Sequence, residues 1–469
     1  MMRQRPTTFN VPFRIFLLAA LLASVGLVMV YSSSASYAGD QRRVLLMKKI
    51  RAQLVDEALA NNPRYKAASP EEQKRTEAVA RKRSTPMARH LAAEALADDH
   101  DYHHSRYVAR QCVWIFLGLL GMFAAYRFDY HRLKACGPVL LGVGLAFLLL
   151  VFVPGVGKTI NEDRRWIGFA GFTFQPSELA KLVLVIYMAR MLTDHHDRIR
   201  SFVHGVVPAL LLTSVFVLAV IVEPDIGGAA VLAAIVFCMW FISGMRILHL
   251  AGLVVATIPA FVYVVLCFPD RVARVLAFVN PTPEALQGPL YQLKQSLIAV
   301  GTGGLTGVGL GNSMQKHFLL EQFTDFVFAV IAEEMGLVGA VLIVLCYFLL
   351  IWEGWRVALR APDFYAALLA SGITLMLSIN VIVNLMVVLG LAPTKGLALP
   401  LLSYGGSNVL VTMTSMGVLM NIARYIERQK ALSPAKARRP FFKRPRAAKP
   451  EARPVLPQPR PRRFQRPEA

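Results

Sequence analysis

The chain has 469 residues, 55% of them hydrophobic, and a mean hydropathy of +0.48. That balance excludes a soluble enzyme and points to a membrane protein. The formal charge of +22 has the sign of a nucleic-acid binder, but residues 424–469 alone hold 15 Lys and Arg against 3 Asp and Glu. This tail is rich in Pro and Arg and lacks periodicity. It reads as a disordered cytoplasmic extension that meets anionic membrane lipids or a cytoplasmic partner, not nucleic acid.

Ten apolar runs follow in chain order, each close to the length that crosses a hydrocarbon core about 30 Å thick. They cover about 13–32, 107–126, 137–154, 177–193, 204–222, 227–243, 247–268, 326–351, 364–391 and 404–423. The runs 177–193 and 227–243 are short and suit tilted, broken or protein-buried helices. No run alternates like a strand, so an all-α polytopic membrane protein is expected. The first run resembles a signal peptide, but with nine spans behind it an uncleaved helix is expected. Five cysteines, Cys112, Cys136, Cys238, Cys267 and Cys346, show no paired spacing for disulfides or a metal knuckle.

Arg127, Arg132, Lys134, Arg198, Arg200, Arg246, Arg356 and Arg360 fall in alternate short loops. By the positive-inside rule these loops and both termini are expected to be cytoplasmic. Residues 1–12 then form a short cytoplasmic lead and 13–423 a ten-helix membrane domain. Residues 33–106 become an extracytoplasmic insertion, 269–325 a large extracytoplasmic loop, and 424–469 the cytoplasmic tail. Every polar cluster suited to chemistry falls on the outer face, where ATP is absent, so a substrate must carry its own leaving group. No Walker loop or dinucleotide fingerprint occurs in the cytoplasmic loops.

Arg164 and Arg165 offer guanidinium forks suited to pyrophosphate, or are solvated loop charges. Trp166 is an interfacial anchor or a ring that contacts sugar or lipid. Glu178 and Lys181 lie three apart at a helix start, so they share a face and can pair. Such a pair fixes the helix and is compatible with lining a substrate cavity. Asp225 suits the cap of the next helix. The glycines of 301–304 and 307–311 match no phosphate-loop fingerprint and read as flexible-loop residues. Lys395 can complement pyrophosphate as a point charge, and Gly405-Gly406 permits close backbone approach beside Ser403 and Ser407. Asp325, in Phe323-Thr324-Asp325-Phe326, stands where a polar loop meets an apolar span. Burying a carboxylate there costs several kcal/mol without a partner or a task. Capping alone would be served as well by Asn or Ser, so Asp325 is the leading candidate for chemistry.

These segments, in this order, resemble the SEDS family (shape, elongation, division and sporulation), which includes FtsW and RodA. The resemblance runs through Arg164-Arg165-Trp166-Ile167, then Gln175-Pro176-Ser177-Glu178-Leu179-Ala180-Lys181, then Pro224-Asp225. It continues through Arg274-Val275 to Asn280-Pro281, Tyr291 to Ser296, Gly309 to Ser313, and Thr324-Asp325-Phe326. Glu333-Glu334, Asn384 and Pro393-Thr394-Lys395-Gly396 to Ser407 complete it. Residues 311–316 and 28–32 look more like the FtsW branch. Departures occur where Phe323 replaces the usual His before Thr-Asp, at Asn161-Glu162-Asp163, at Asn408 in place of Ser, and in the long insertion 33–106, which matches no motif.

The resemblance implies a peptidoglycan glycosyltransferase that polymerises lipid II at the outer face of the bacterial inner membrane, at the septum during division. It implies Asp325 as catalytic base, with Arg164, Arg165, Trp166, Glu178, Lys181, Lys395, Ser403 and Ser407 as substrate-binding residues. A class B penicillin-binding protein and other divisome proteins are the implied partners. The leaving pyrophosphate draws on Arg164, Arg165, Lys395 or a divalent cation, Mg or Mn. Two rival expectations remain at this stage: a lipid II flippase, and a non-catalytic divisome scaffold.

Overall fold

The computed structural model describes residues 10–60, 104–160, 163–169, 172–319 and 322–432. Most of the insertion, including residues 61–103, lies outside the described residues, as does the tail beyond residue 432. Within the insertion the first helix, α1 (Val11–Ala60), continues well past its apolar span, Val11–Ser33.

Each of the ten apolar runs is a helix. Eight are long and apolar enough to cross a membrane. They are α1, α2 (His104–Arg127), α3 (Tyr130–Leu150), α5 (Val207–Val222, entered through a π-turn at Phe202–Val206), α7 (Ile247–Leu266), α10 (Val327–Arg360), α11 (Phe364–Val388) and α12 (Gly406–Leu432). The other two are the short runs. Helix α4 (Pro176–Asp194) carries Glu178, Lys181 and Arg190, and α6 (Ile226–Ile242) has only 17 residues. Both pack inside the bundle, where neighbouring protein replaces lipid. Helix α11 is the central column, with 83% of its span buried, whereas α7 is 12% buried and faces lipid. Two further helices, α8 (Pro269–Val279) and α9 (Tyr291–Thr302), lie in the large loop before α10.

A small antiparallel sheet, β1 (Gly157–Ile160), β2 (Asp163–Phe169) and β3 (Phe172–Phe174), fills the loop between α3 and α4. The hydrophobic pattern gives no sign of it, because the strands are short and half-buried. Its register pairs Lys158 with Trp166 and Ile167 with Phe174.

Helix α10 is broken at Gly336 (φ 66°, ψ −166°). The glycine loop before it closes the break: Val308 and Gly309 N–H donate to the Glu333 and Glu334 carbonyls at 3.0 Å, while Leu337 and Val338 N–H donate to Gly304 and Leu305 carbonyls at 2.9 and 3.1 Å. A broken helix in a membrane protein must have its freed backbone groups met by protein. The glycine run expected to be a flexible loop is therefore a fixed splice. A Cβ on Gly307 or Gly336 would strike the opposite backbone within 2.4 Å.

The end of the bundle opposite the site is held by polar ties. Tyr130 Oη donates to Asp363 at 2.6 Å, Lys134 pairs with Asp194 at 2.7 Å, and Glu353 pairs with Arg356 at 2.9 Å and Arg14 at 3.4 Å.

Candidate active site

The starts of α4, α6, α10 and α12, together with β2, surround one cavity of about 350 Å³. Its volume suits a small-molecule group. The charged lining is Arg165, Glu178, Lys181, Asp225 and Asp325; Trp114, Trp166, Phe323 and Tyr404 supply rings. Six of the nine residues expected from sequence meet here: Asp325, Arg165, Trp166, Glu178, Lys181 and Ser407.

Half-buried Asp325 precedes Phe326, the residue that caps α10. The short half-helix from Val327 to the Gly336 break points its N-terminus at this loop, which favours a carboxylate there. Three consecutive carbonyls hold the segment. Phe323 O accepts from Tyr404 N–H at 2.7 Å, Thr324 O from the Ser403 hydroxyl, and Asp325 O from Asn384 Nδ2 at 2.9 Å. Asn384 Nδ2 also reaches Leu397 O at 2.6 Å, so one amide ties the Asp325 turn to the Lys395–Ala398 loop. The carboxylate packs against Gly396, where a Cβ would lie 2.8 Å from Asp325 Oδ2.

Glu178 and Lys181 form an ion pair at 2.9 Å, with side chains 12% and 3% exposed, and Asn408 Nδ2 reaches the other Glu178 oxygen at 3.3 Å. The pair joins two residues near the start of α4 and also lines the cavity. Arg165 donates to Pro224 O at 2.9 Å, and Ser407 Oγ accepts from Gln175 N–H at 2.7 Å. Asp225 caps α6 through Gly228 N–H at 2.8 Å and also lines the cavity.

Three expected residues do not line it. Arg164 turns away to the Val153 carbonyl at 2.9 Å, because successive strand residues leave opposite sides. Ser403 lies behind the wall, accepting from Leu399 N–H at 2.7 Å while holding Thr324. Lys395 donates to Gly227 O, and burial, outweighing the nearby Asp225 charge and reinforced by Lys181 and Arg271, lowers its pKa to about 8. Beside these groups, Glu223 is fully buried and neither carboxylate oxygen has a hydrogen-bond partner among the described residues. Burial first, then the Asp225 charge, pushes its pKa up to about 8 against the pull of Arg165.

Trp114 and Thr173 are lining residues that sequence reasoning did not name, while Asp225, expected as a helix cap, and Tyr404, expected only as part of the 403–407 cluster, line it as well. Trp114 sits mid-span and reads as a lipid-facing ring, yet its indole lies directly over Gly406, 292 residues away. Among the described residues no group of three or more His, Cys, Asp or Glu is gathered closely enough to hold a metal ion. The expected divalent cation thus finds no ready ligand set, and no step below runs through one.

Fold and cavity together define a multi-pass helical membrane protein with a charged, aromatic-walled cavity at one end of its bundle. The family profile described as "Cell cycle protein", covering FtsW, RodA and SpoVE, matches residues 87–428, and the chain belongs to that family. Stage V sporulation protein E of Bacillus subtilis (strain 168) is 40% identical over 336 residues, covering 71% of this chain and 92% of the relative. A probable peptidoglycan glycosyltransferase FtsW of Geobacter sp. (strain M18) is 40% identical over 319 residues, covering 68% and 86%. Among solved structures, a chain from work on the structural coordination of polymerization and crosslinking by a peptidoglycan synthase complex matches with a TM-score of 0.60 and 33% identity, over 68% of this chain and 90% of that one. The rod shape determining protein RodA of Thermus thermophilus matches with a TM-score of 0.56 and 27% identity, over 87% and 95%.

Proposed function

We propose that this protein is a peptidoglycan glycosyltransferase that polymerises lipid II. The observation that carries the reading is Asp325, on a backbone segment held by three hydrogen bonds, in a cavity that also holds Arg165 and Lys181. The 4-hydroxyl of the acceptor N-acetylglucosamine attacks the anomeric carbon of the N-acetylmuramyl donor. The C–O bond to undecaprenyl pyrophosphate breaks, its electron pair leaves on the pyrophosphate, and the hydroxyl proton passes to Asp325. A sugar hydroxyl ionises far above neutral pH, so a positioned base is needed as the bond forms; such catalysis contributes about 10²–10⁴-fold. Arg165 and Lys181 stabilise the charge gathering on the leaving group. One direct displacement inverts the anomeric centre.

Ten spans would return the chain to the side on which it starts, and we assign that side to the cytoplasm and the cavity to the outer face of the inner membrane. The relative assembled in a peptidoglycan synthase complex supports a class B penicillin-binding protein as partner, and the FtsW relatives support divisome proteins and a septal location. The test is to supply lipid II in detergent micelles, which have no sidedness, to the purified protein with its transpeptidase. Glycan strands are expected. A flippase or scaffold would leave lipid II unpolymerised, and that result would overturn the proposal.

A further inference from the structure

The cavity wall next to Asp325 is aromatic. Phe323 and Tyr404 both line it, their ring centroids 5.5 Å apart and nearly perpendicular at 83°. Tyr107, near the start of α2, lies 5.5 Å from Phe323 and 5.7 Å from Tyr404. Two of the three contacts are edge-to-face and the Tyr107–Phe323 pair is tilted at 53°; such contacts at these separations are attractive, so each ring fixes the tilt of the other two. Tyr404 is tied once more by its N–H to Phe323 O at 2.7 Å, and the Arg110 guanidinium lies close enough to act on its hydroxyl. A ring held by two neighbours and its backbone is preorganised, and preorganisation is what binding rewards. Phe323 stands where the SEDS resemblance expects His, so in this chain the third ring of the cluster carries no polar nitrogen.

We propose that Tyr404, braced by Phe323 and Tyr107, is the platform on which the acceptor sugar lies: a carbohydrate-stacking subsite separate from the cationic lining. The proposal rests on the glycosyltransferase reading and adds where one substrate sits. A pyranose has one face of C–H bonds that packs on an aromatic ring while its hydroxyls point sideways to polar partners. The base must come within hydrogen-bond reach of the acceptor hydroxyl. Asp325 is two residues from Phe323 in a segment fastened to Tyr404, which makes this ring the one beside the base. The donor's pyrophosphate is drawn instead to Arg165 and Lys181.

The experiment compares full-length wild type with Tyr404→Phe and Tyr404→Leu in two arms. One arm measures lipid II polymerisation with the transpeptidase partner. The other measures saturation-transfer NMR of a soluble N-acetylglucosamine tetrasaccharide, which needs no turnover. Tyr404→Phe keeps the ring and loses only the Arg110 contact, so it is expected to retain most of the wild-type affinity and saturation-transfer signal. Tyr404→Leu is expected to raise the lipid II concentration for half-maximal rate about ten-fold, the equivalent of about 1.4 kcal/mol, with the maximal rate nearly kept and the saturation-transfer signal lost. Wild-type behaviour of Tyr404→Leu in both arms overturns the proposal. So does equal damage in Tyr404→Phe, which would assign the effect to the Arg110 contact. If Tyr404→Leu does not fold, Tyr404→Met replaces the ring with an unbranched apolar chain, and unchanged affinity there overturns the subsite. If wild type makes no strands, the glycosyltransferase reading fails, while the tetrasaccharide arm still decides the subsite.

Discussion

Replacing Glu178 by Gln removes one charge from a pair the bundle has almost sealed. Lys181 is 3% exposed and Glu178 12%, with nitrogen and oxygen 2.9 Å apart. In such surroundings the pair itself adds little net stability, because desolvation offsets attraction. Breaking it leaves the ammonium buried without its counter-charge, which costs about 3–5 kcal/mol. Asn408, 3.3 Å from Glu178, can share a hydrogen bond with Gln but cannot neutralise Lys181. Glu178→Gln should therefore lower the melting temperature by several degrees, and Glu178→Gln with Lys181→Met should recover most of that loss. Polymerisation separates structure from chemistry: the double variant should melt like wild type yet make strands slowly, since Lys181 lines the cavity. The assays are thermal unfolding in detergent and strand synthesis from lipid II. A single variant as stable as wild type would refute the burial argument. A fully active double variant would reduce the pair to a structural tie.

Three further outcomes follow from the geometry. Gly396→Ala should leave the melting temperature within a few degrees but cut polymerisation at least about ten-fold, because its Cβ would press on Asp325 Oδ2 at 2.8 Å and displacing a positioned base is costly. Gly336→Ala should destabilise strongly, by about 1–3 kcal/mol from backbone strain alone, because φ is +66° and the new Cβ would meet Gly307 N at 2.4 Å; unfolding in detergent checks it. Glu223 has a folded pKa raised from 4.5 to about 8, so the stability of its protonated form is complete below pH 4.5 and drains away as pH rises to about 8. The melting temperature of Glu223→Gln should therefore gain on wild type across that window and then level off; parallel curves from pH 5 to 8 would contradict the burial.

The bundle was legible because crossing a membrane demands about 20 apolar residues, and that demand is local. Helices α4 and α6 were the hardest to read for a related reason. Buried in protein, α4 tolerates Glu178 and Lys181, and α6 spans only 17 residues. Asp325, Arg165 and Lys181 could be nominated because charge at a membrane boundary needs a reason. Arg164, Ser403 and Lys395 could not be sorted from them, since which side of a strand or loop meets the cavity depends on β2, Thr324 and Gly227. Trp114 was invisible for the converse reason: an aromatic ring in an apolar run looks like lipid contact until Gly406 is folded against it. The splice at Gly336 was hidden too, as the partners that close it, residues 304–309, lie about 30 residues upstream.

The central claim is that Asp325 is the base for glycan polymerisation. Asp325→Asn keeps the size of the side chain and its place against Gly396 but cannot accept the proton. The measurement is strand synthesis from lipid II by the purified variant with its transpeptidase, alongside its melting temperature. A folded, partner-bound Asp325→Asn protein that makes strands at least about 10²-fold more slowly is the predicted result. Strands at the wild-type rate would contradict the account.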